Sequence, residues 1–361
     1  MSAYPTLAGS ILADCWPMTR VMAGLSAVPI GHAIDLAFLF PLDGRERNDA
    51  LIAETRRHLG GCLTAIEIAF RTALQDEAAI AEALDAWPDP LCWPTVRAQP
   101  TMLGPPLLAH MQMRAGISLL LRQAGCPDSE SVVAEEADSA LPADDPTIGD
   151  ALSALALAEG RWLMAGGEDQ PLRPDVPAEY FAELVWTAAA CLAAVVQRAS
   201  GTDDAVMAAF ERAGEALLRR HDEAANPLSI AEVVVRQLGE RADAPELLAS
   251  VLTQRRFLLF TALAARRLRM ESAQVADILL FAPLEQVAAL SRALGGSDSD
   301  HVHLLLALRP VRPSLSDAVI VVQAEHYQSL PALQADATVS ALRTPAAFRA
   351  KLDHLRRVTA G

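Results

Sequence analysis

PAEYFAELVWTAAACLAAVVQRA, residues 177–199, decides the fold class. Its apolar positions Phe181, Leu184, Val185, Ala188, Leu192, Val195 and Val196 recur at three- and four-residue intervals. That spacing gathers them on one side of an α-helix and would scatter them over both faces of a strand. Pro177 suits the first turn, where a missing N–H costs nothing, and Arg198 suits the last, where a cation meets the negative end of the helix dipole. Working outward, the period returns. Val206, Phe210, Ala213 and Leu217 form a stripe behind a start at Thr202, with Asp203 and Asp204 in the first turn. Ser229 and Glu232 read as a capping box, with Leu228 stapled onto Val233. Pro283 opens a helix that closes at Gly295-Gly296. The one β-like run, Val319 to Val322, is framed by Ser316-Asp317 and Gln323-Ala324-Glu325 and also reads as helix. The expectation is an all-α chain, a multi-hairpin helical array that is HEAT-like in part.

Composition narrows the function classes. The chain has 361 residues, 52% of them hydrophobic, enough to bury a core without metal or disulfide support. Only 5% are aromatic, so that core is expected from Ala, Leu and Val in closely approaching helices. A net charge of −15, with Lys351 the sole lysine, disfavours nucleic acid and anionic membranes as partners. Arg255, Arg256, Arg266, Arg267 and Arg269 form a basic run, read as a solvated helix face in preference to a phosphate-binding strip. Cysteines at 15, 62, 92, 126 and 191 are odd in number and lack metal-ligand spacing, which implies reduced thiols and a cytoplasmic protein. The first basic residue is Arg20, so no signal peptide is expected; Leu12-Ala13-Asp14-Cys15 only superficially matches a lipoprotein cleavage site. No membrane span is expected, because 21–40 contains His32 and Asp35 and 184–196 is short.

Along the chain, residues 127–147 are acidic and proline-punctuated, and read as a linker between an N-terminal helical region (1–126) and a main helical domain (148–309). After Arg309-Pro310-Val311-Arg312-Pro313, residues 310–361 read as C-terminal helices. Cys15-Trp16-Pro17 with Arg20 returns as Cys92-Trp93-Pro94 with Arg97, and His32 is echoed by His110. The offset suits two helical hairpins of a repeat about 40 residues long. The favoured reading is that each tryptophan fills a gap between hairpins. The sharper one is a ligand groove built from Trp16, Arg20, His32, Trp93, Arg97 and His110.

No motif declares a reaction. His221-Asp222-Glu223 before Asn226-Pro227-Leu228 is similar to the phosphoacceptor box of dimeric histidine kinases, with the proline one residue late and no ATP-binding segment behind it. It reads instead as a helix C-terminus. His301 and His303 stand at i,i+2, pointing away from each other on a helix, so Asp298 or Asp300 is read as an N-cap and not as a metal ligand. The glycine pairs 60–61, 166–167 and 295–296 read as helix C-caps. No P-loop, GxSxG or HExxH is present. No cofactor or metal is expected.

One stretch carries a resemblance. Ile230 to Leu238, Leu247-Leu248, Arg256 through Phe260 to Ala262-Leu263-Ala264, Val275 to Leu280, and Gln286 to Gly295 line up with the successive helices of a known pattern. Over 229–308, and more loosely from 173, the chain resembles the bacterial family catalogued as domain of unknown function 2336. Leu259 stands where that family's paired aromatic begins. The resemblance implies a helical fold and carries over no catalytic residue. The functional expectation is therefore a cytoplasmic interaction or regulatory module, partnered by another protein or by itself. The alternative is a small-molecule binder, or an enzyme with a site between helices.

Overall fold

Prolines and short polar side chains mark where the helices begin. The computed structural model describes residues 48–124, 141, 145–163, 166–201 and 204–344, together with 348, 352 and 355. Among these are 15 α-helices and no strand, so the chain is all-α. They are α1 (Asp49–Ala73), α2 (Ala78–Asp85), α3 (Cys92–Ala98), α4 (Pro105–Ala124), α5 (Pro146–Leu163), α6 (Ala178–Ser200), α7 (Asp204–Arg219) and α8 (Pro227–Leu238). There follow α9 (Pro245–Thr253), α10 (Phe257–Leu268), α11 (Ser272–Phe281), α12 (Leu284–Ala293), α13 (Asp298–Leu308), α14 (Asp317–Ser329) and α15 (Ala332–Leu342). Proline sits at the N-cap of α6, α12 and α15, and inside the first turn of α8 and α9.

Two starts differ from the sequence reading. Helix α8 is capped by Asn226, whose side chain accepts from Leu228 N–H at 2.9 Å, with Pro227 already helical. Ser229 therefore lies inside the first turn, and the earlier Asn-Pro signal wins over the Ser229–Glu232 box. Helix α13 is capped by Ser297 and not by Asp298 or Asp300; Asp300 completes the box, accepting from Ser297 N–H at 2.9 Å. The reading of 319–322 as helix holds, within α14. Thr202 and Asp203 lie outside the described residues.

All seven stripe residues of α6 are buried. Ala178–Ala199 is also long and apolar enough to cross a membrane, contrary to the sequence expectation, which measured only 184–196. Here its apolar stripe is spent on protein, against α1, α2 and α7.

Among the described residues, two apolar cores result. One gathers Leu63 and Phe70 of α1, Trp93 of α3, Leu107 of α4, Leu192 of α6 and Phe210 of α7. The other gathers Ile117 of α4, Trp162 of α5, Val234 of α8, Leu259 and Leu263 of α10, Leu279 of α11 and Leu305 of α13. Burying each such leucine or phenylalanine contributes about 1.5–3 kcal/mol. Helix α1, 25 residues and about 37 Å long, and its partner α4 run through both cores. Leu51 and Met113 belong to one, Leu59 and Leu108 to the other. Between them lies a seam.

A non-helical strap, 166–177, crosses α1 at this seam. Gly60 and Gly61 are not a helix terminus, as their sequence suggested, but sit mid-α1. A Cβ on Gly60 would stand 2.2 Å from the Glu168 carbonyl oxygen, and one on Gly61 2.6 Å from Leu172 Cβ. Leu172 N–H donates to Gly61 O at 2.8 Å. The pair is there because backbone crosses backbone. Gly295 does follow a helix end, at φ 79°, as read from sequence.

Candidate functional site

The seam is lined with charge. Glu54, Arg57 and His58 lie one turn apart on α1, and Arg114, Ser118 and Arg122 face them from α4. Glu54 accepts from Arg57 at 2.6 Å, from Ser118 at 2.6 Å and from Arg122 at 3.0 Å. Arg114 is fully buried, pairs with Asp175 of the strap at 2.8 Å and lies over the Trp162 ring at 4.9 Å. Trp162 Nε1 donates to Asp175 at 3.0 Å.

The protonation state follows from the bonds. Arg114 Nε donates to His58 Nδ1 at 2.8 Å, so Nδ1 is an acceptor and the imidazole proton sits on Nε2, facing Glu54 Oε1 at 3.1 Å. The 3.0 Å approach of Arg57 Nη2 to that same Nε2 is then a contact between two donors. Burial drives His58 down to about 3; the Glu54 hydrogen bond opposes this, while Arg114 and Arg57 add to it. Burial would raise the Glu54 carboxyl, but hydrogen bonds from His58, Arg57 and Ser118 hold it well below the usual carboxylate range. Both nitrogens of a fully buried ring are occupied, which suits assembly of the seam and not proton transfer.

Of the predicted groove, Trp16, Arg20 and His32 lie outside the described residues. Trp93 and Arg97 do meet, on Glu168 of the strap, at 2.9 and 3.5 Å from one carboxylate oxygen. Trp93 is buried in the core and Arg97 exposed. His110 packs instead against Tyr180, the rings tilted by 33° with centroids 4.8 Å apart, and burial together with Arg114 lowers it to about 3. His221 lies flat on Phe181 at 3.9 Å, its Nε2 donating to Val176 O at 2.7 Å. His301 is buried against Tyr327 at 4.1 Å, while His303 faces the opposite way, as its i,i+2 spacing required.

His303 faces a cleft of about 390 Å³ between α4, α9, α10 and α13. Val251, Leu252, Phe257, Phe260, Leu306 and Ala307 make it apolar; Arg255, Arg256 and Arg309 stand around it. The basic run read from sequence is thus split between the ends of α10. Arg255 and Arg256 go to the cleft, whereas Arg266 pairs with Asp243 at 3.1 Å and Arg267 binds the Ala242 carbonyl at 3.3 Å. Arg255 holds φ at 55°, a left-handed conformation that costs a non-glycine residue about 1 kcal/mol, in the tight turn from α9 to α10. Arg256 N–H closes that turn on Val251 O at 3.1 Å. Arg309 is held by Leu315 O at 2.9 Å and by Asp317. Leu252 and Phe260 also line a smaller hollow that reaches Leu248, Leu304 and Gly296, so the apolar floor runs on past the cleft.

Sequence reasoning missed this cleft because its walls come from four separated helices. The nearest signal was the Arg-Arg pair directly before an unbroken apolar helix start. Among the described residues, no three His, Cys, Asp or Glu side chains are grouped to hold a metal. Comparison with protein-family models, with curated proteins and with solved structures finds no match to this chain.

Proposed function

We propose that the protein is a non-catalytic helical binding module whose cleft takes an amphipathic anion. One observation carries the reading: in a chain of net charge −15, three guanidiniums ring an apolar cavity of about 390 Å³. Small-ligand sites have that size and makeup, mostly apolar with a few placed polar groups. The apolar body lies on Leu252, Phe257 and Phe260, and the anionic group meets Arg255 and Arg256, with Arg309, which Asp317 already pairs, at the rim. The three buried free thiols, Cys62, Cys92 and Cys191, support a reducing, cytoplasmic setting. The likeness of 229–308 to domain of unknown function 2336 supports a helical scaffold for this cleft and adds no activity.

Titration with decanoate and with decanol separates charge from tail. Saturable decanoate binding is expected, at least tenfold weaker for decanol and for the Arg256→Gln variant. Equal affinity for both probes, or no binding, rejects the reading. A second reading has its own support: Leu306 is 40% exposed at the cleft, and the floor extends into the smaller hollow. Those features favour an acidic amphipathic helix of a partner protein, which a helix of that kind displaced by decanoate would distinguish.

A further inference from the structure

A second hollow, independent of the cleft, opens between the strap and the seam. It encloses about 150 Å³ and is lined by Arg57, Arg161 and Arg173 together with Gly166, Gly167 and Gln170. Among the described residues, positive charge outnumbers negative charge around it. Glu54 serves Arg57 and Arg122, and Asp175 serves Arg114 and Arg161. Among the described residues, five guanidiniums, counting Arg173, are ranged about the two carboxylates of Glu54 and Asp175. The strap's own Glu168 is turned away, to Trp93 and Arg97.

The fit around Asp175 is also incomplete. Its Oδ1 is held by Arg114 at 2.8 Å, but its Oδ2 stands 3.8 Å from Arg161 Nε, beyond a hydrogen bond. Both of those atoms are buried and lack a hydrogen-bond partner among the described residues. Among the described residues, Arg161 is otherwise tethered through one nitrogen, Nη2, to Ala225 O at 3.0 Å. Buried polar atoms of this kind are rare because each forfeits its hydration. Arg173, by contrast, is exposed and lines the hollow, while its backbone carbonyl braces Arg114 at 3.0 Å. Gly167 would carry a Cβ into open space, so the strap leaves room beside it.

We propose that this hollow is a binding site for a small oxyanion, bound by Arg173 and Arg161 with Arg57 behind them. A phosphate or phosphoryl group and a carboxylate share the required chemistry, since guanidinium forks match both. Asp175 does not repel it decisively, because Arg114 already neutralises that carboxylate. An anion here would tie the strap to α5 and so brace the junction of the two cores.

The test is calorimetric titration of the full chain with inorganic phosphate and, separately, acetate, at constant ionic strength set with chloride. Saturable binding is expected, with at least a tenfold loss of affinity in Arg173→Gln. That side chain is exposed and its backbone contact survives, so the variant is expected to keep the wild-type melting midpoint. Arg161→Gln serves as a second variant and is expected to weaken binding similarly. Tighter phosphate binding assigns a phosphoryl source, tighter acetate binding a carboxylate one. No saturation by either, a chloride effect of equal size, or unchanged affinity in Arg173→Gln overturns the proposal. Decanoate binding at the cleft is expected to be unaffected by Arg173→Gln, so the two sites fail independently.

Discussion

In the seam, the arginines nearest Glu54 and Asp175 are bonded to carboxylates and carbonyls between two packed cores. Around the α9–α10–α13 cleft, Arg255 and Arg256 stand beside an apolar floor with part of their surface in water. The contrast separates two uses of one side chain. A guanidinium buried with its partner fixes which helices come together, because losing either half strands a charge in a poor dielectric. A guanidinium at the mouth of an apolar cavity contributes little to folding and a great deal to what the cavity accepts.

The sharpest way to break this contrast is to remove one acid. Asp175→Ala leaves Arg114, fully buried, without its carboxylate and also deprives Trp162 of its acceptor. The expected loss is about 3–5 kcal/mol in urea unfolding. Arg256→Gln at the cleft is expected to cost no more than about 0.5 kcal/mol. Similar costs for the two would erase the distinction.

Acid sharpens it next. His58 and His110 are held near 3 and His301 near 4, all below the ordinary imidazole value of 6.5. The folded chain keeps these rings neutral while the unfolded chain takes up protons, so stability is full above about pH 6.5 and falls as pH drops toward 4 and then 3. Glu54, held low, adds loss in the same direction below its ordinary 4.5. Urea midpoints measured from pH 7 to pH 4 are expected to decline throughout, and a flat profile would contradict the buried neutral rings. A single methyl group tests the crossing of strap and helix. Gly60→Ala forces the strap off α1 and is expected to cost about 1–3 kcal/mol, whereas Gly167→Ala, facing open space, is expected to be near neutral.

The fold was legible where the signal is local. The α6 stripe and the helical reading of 319–322 follow from spacing within one element. So does the opposite facing of His301 and His303. The seam was only half legible. Glu54, Arg57 and His58 at i, i+3 and i+4 share one face of a helix flanked by apolar residues, and that pattern could have marked a buried polar stripe. Nothing in the sequence says that Arg114 and Asp175 complete it, since they approach through tertiary structure alone. The glycine pair at 60–61 misled for the same reason: a glycine that ends a helix and one that admits a crossing backbone look alike until the crossing chain is seen. Ser229 misled differently, because two start signals overlap and the chain obeys the first.

The hydrogen bond from Leu172 to Gly61 closes a very long loop, and closing it costs entropy that is recovered only once α1, α4 and α5 have docked. The strap is therefore expected to dock late in folding, and its central amide to report on the whole junction. In native-state hydrogen exchange, Leu172 is expected to exchange as slowly as the core amides of α6, through global opening. The flanking amides of 166–170, nearer the solvent, are expected to exchange by local fraying long before it.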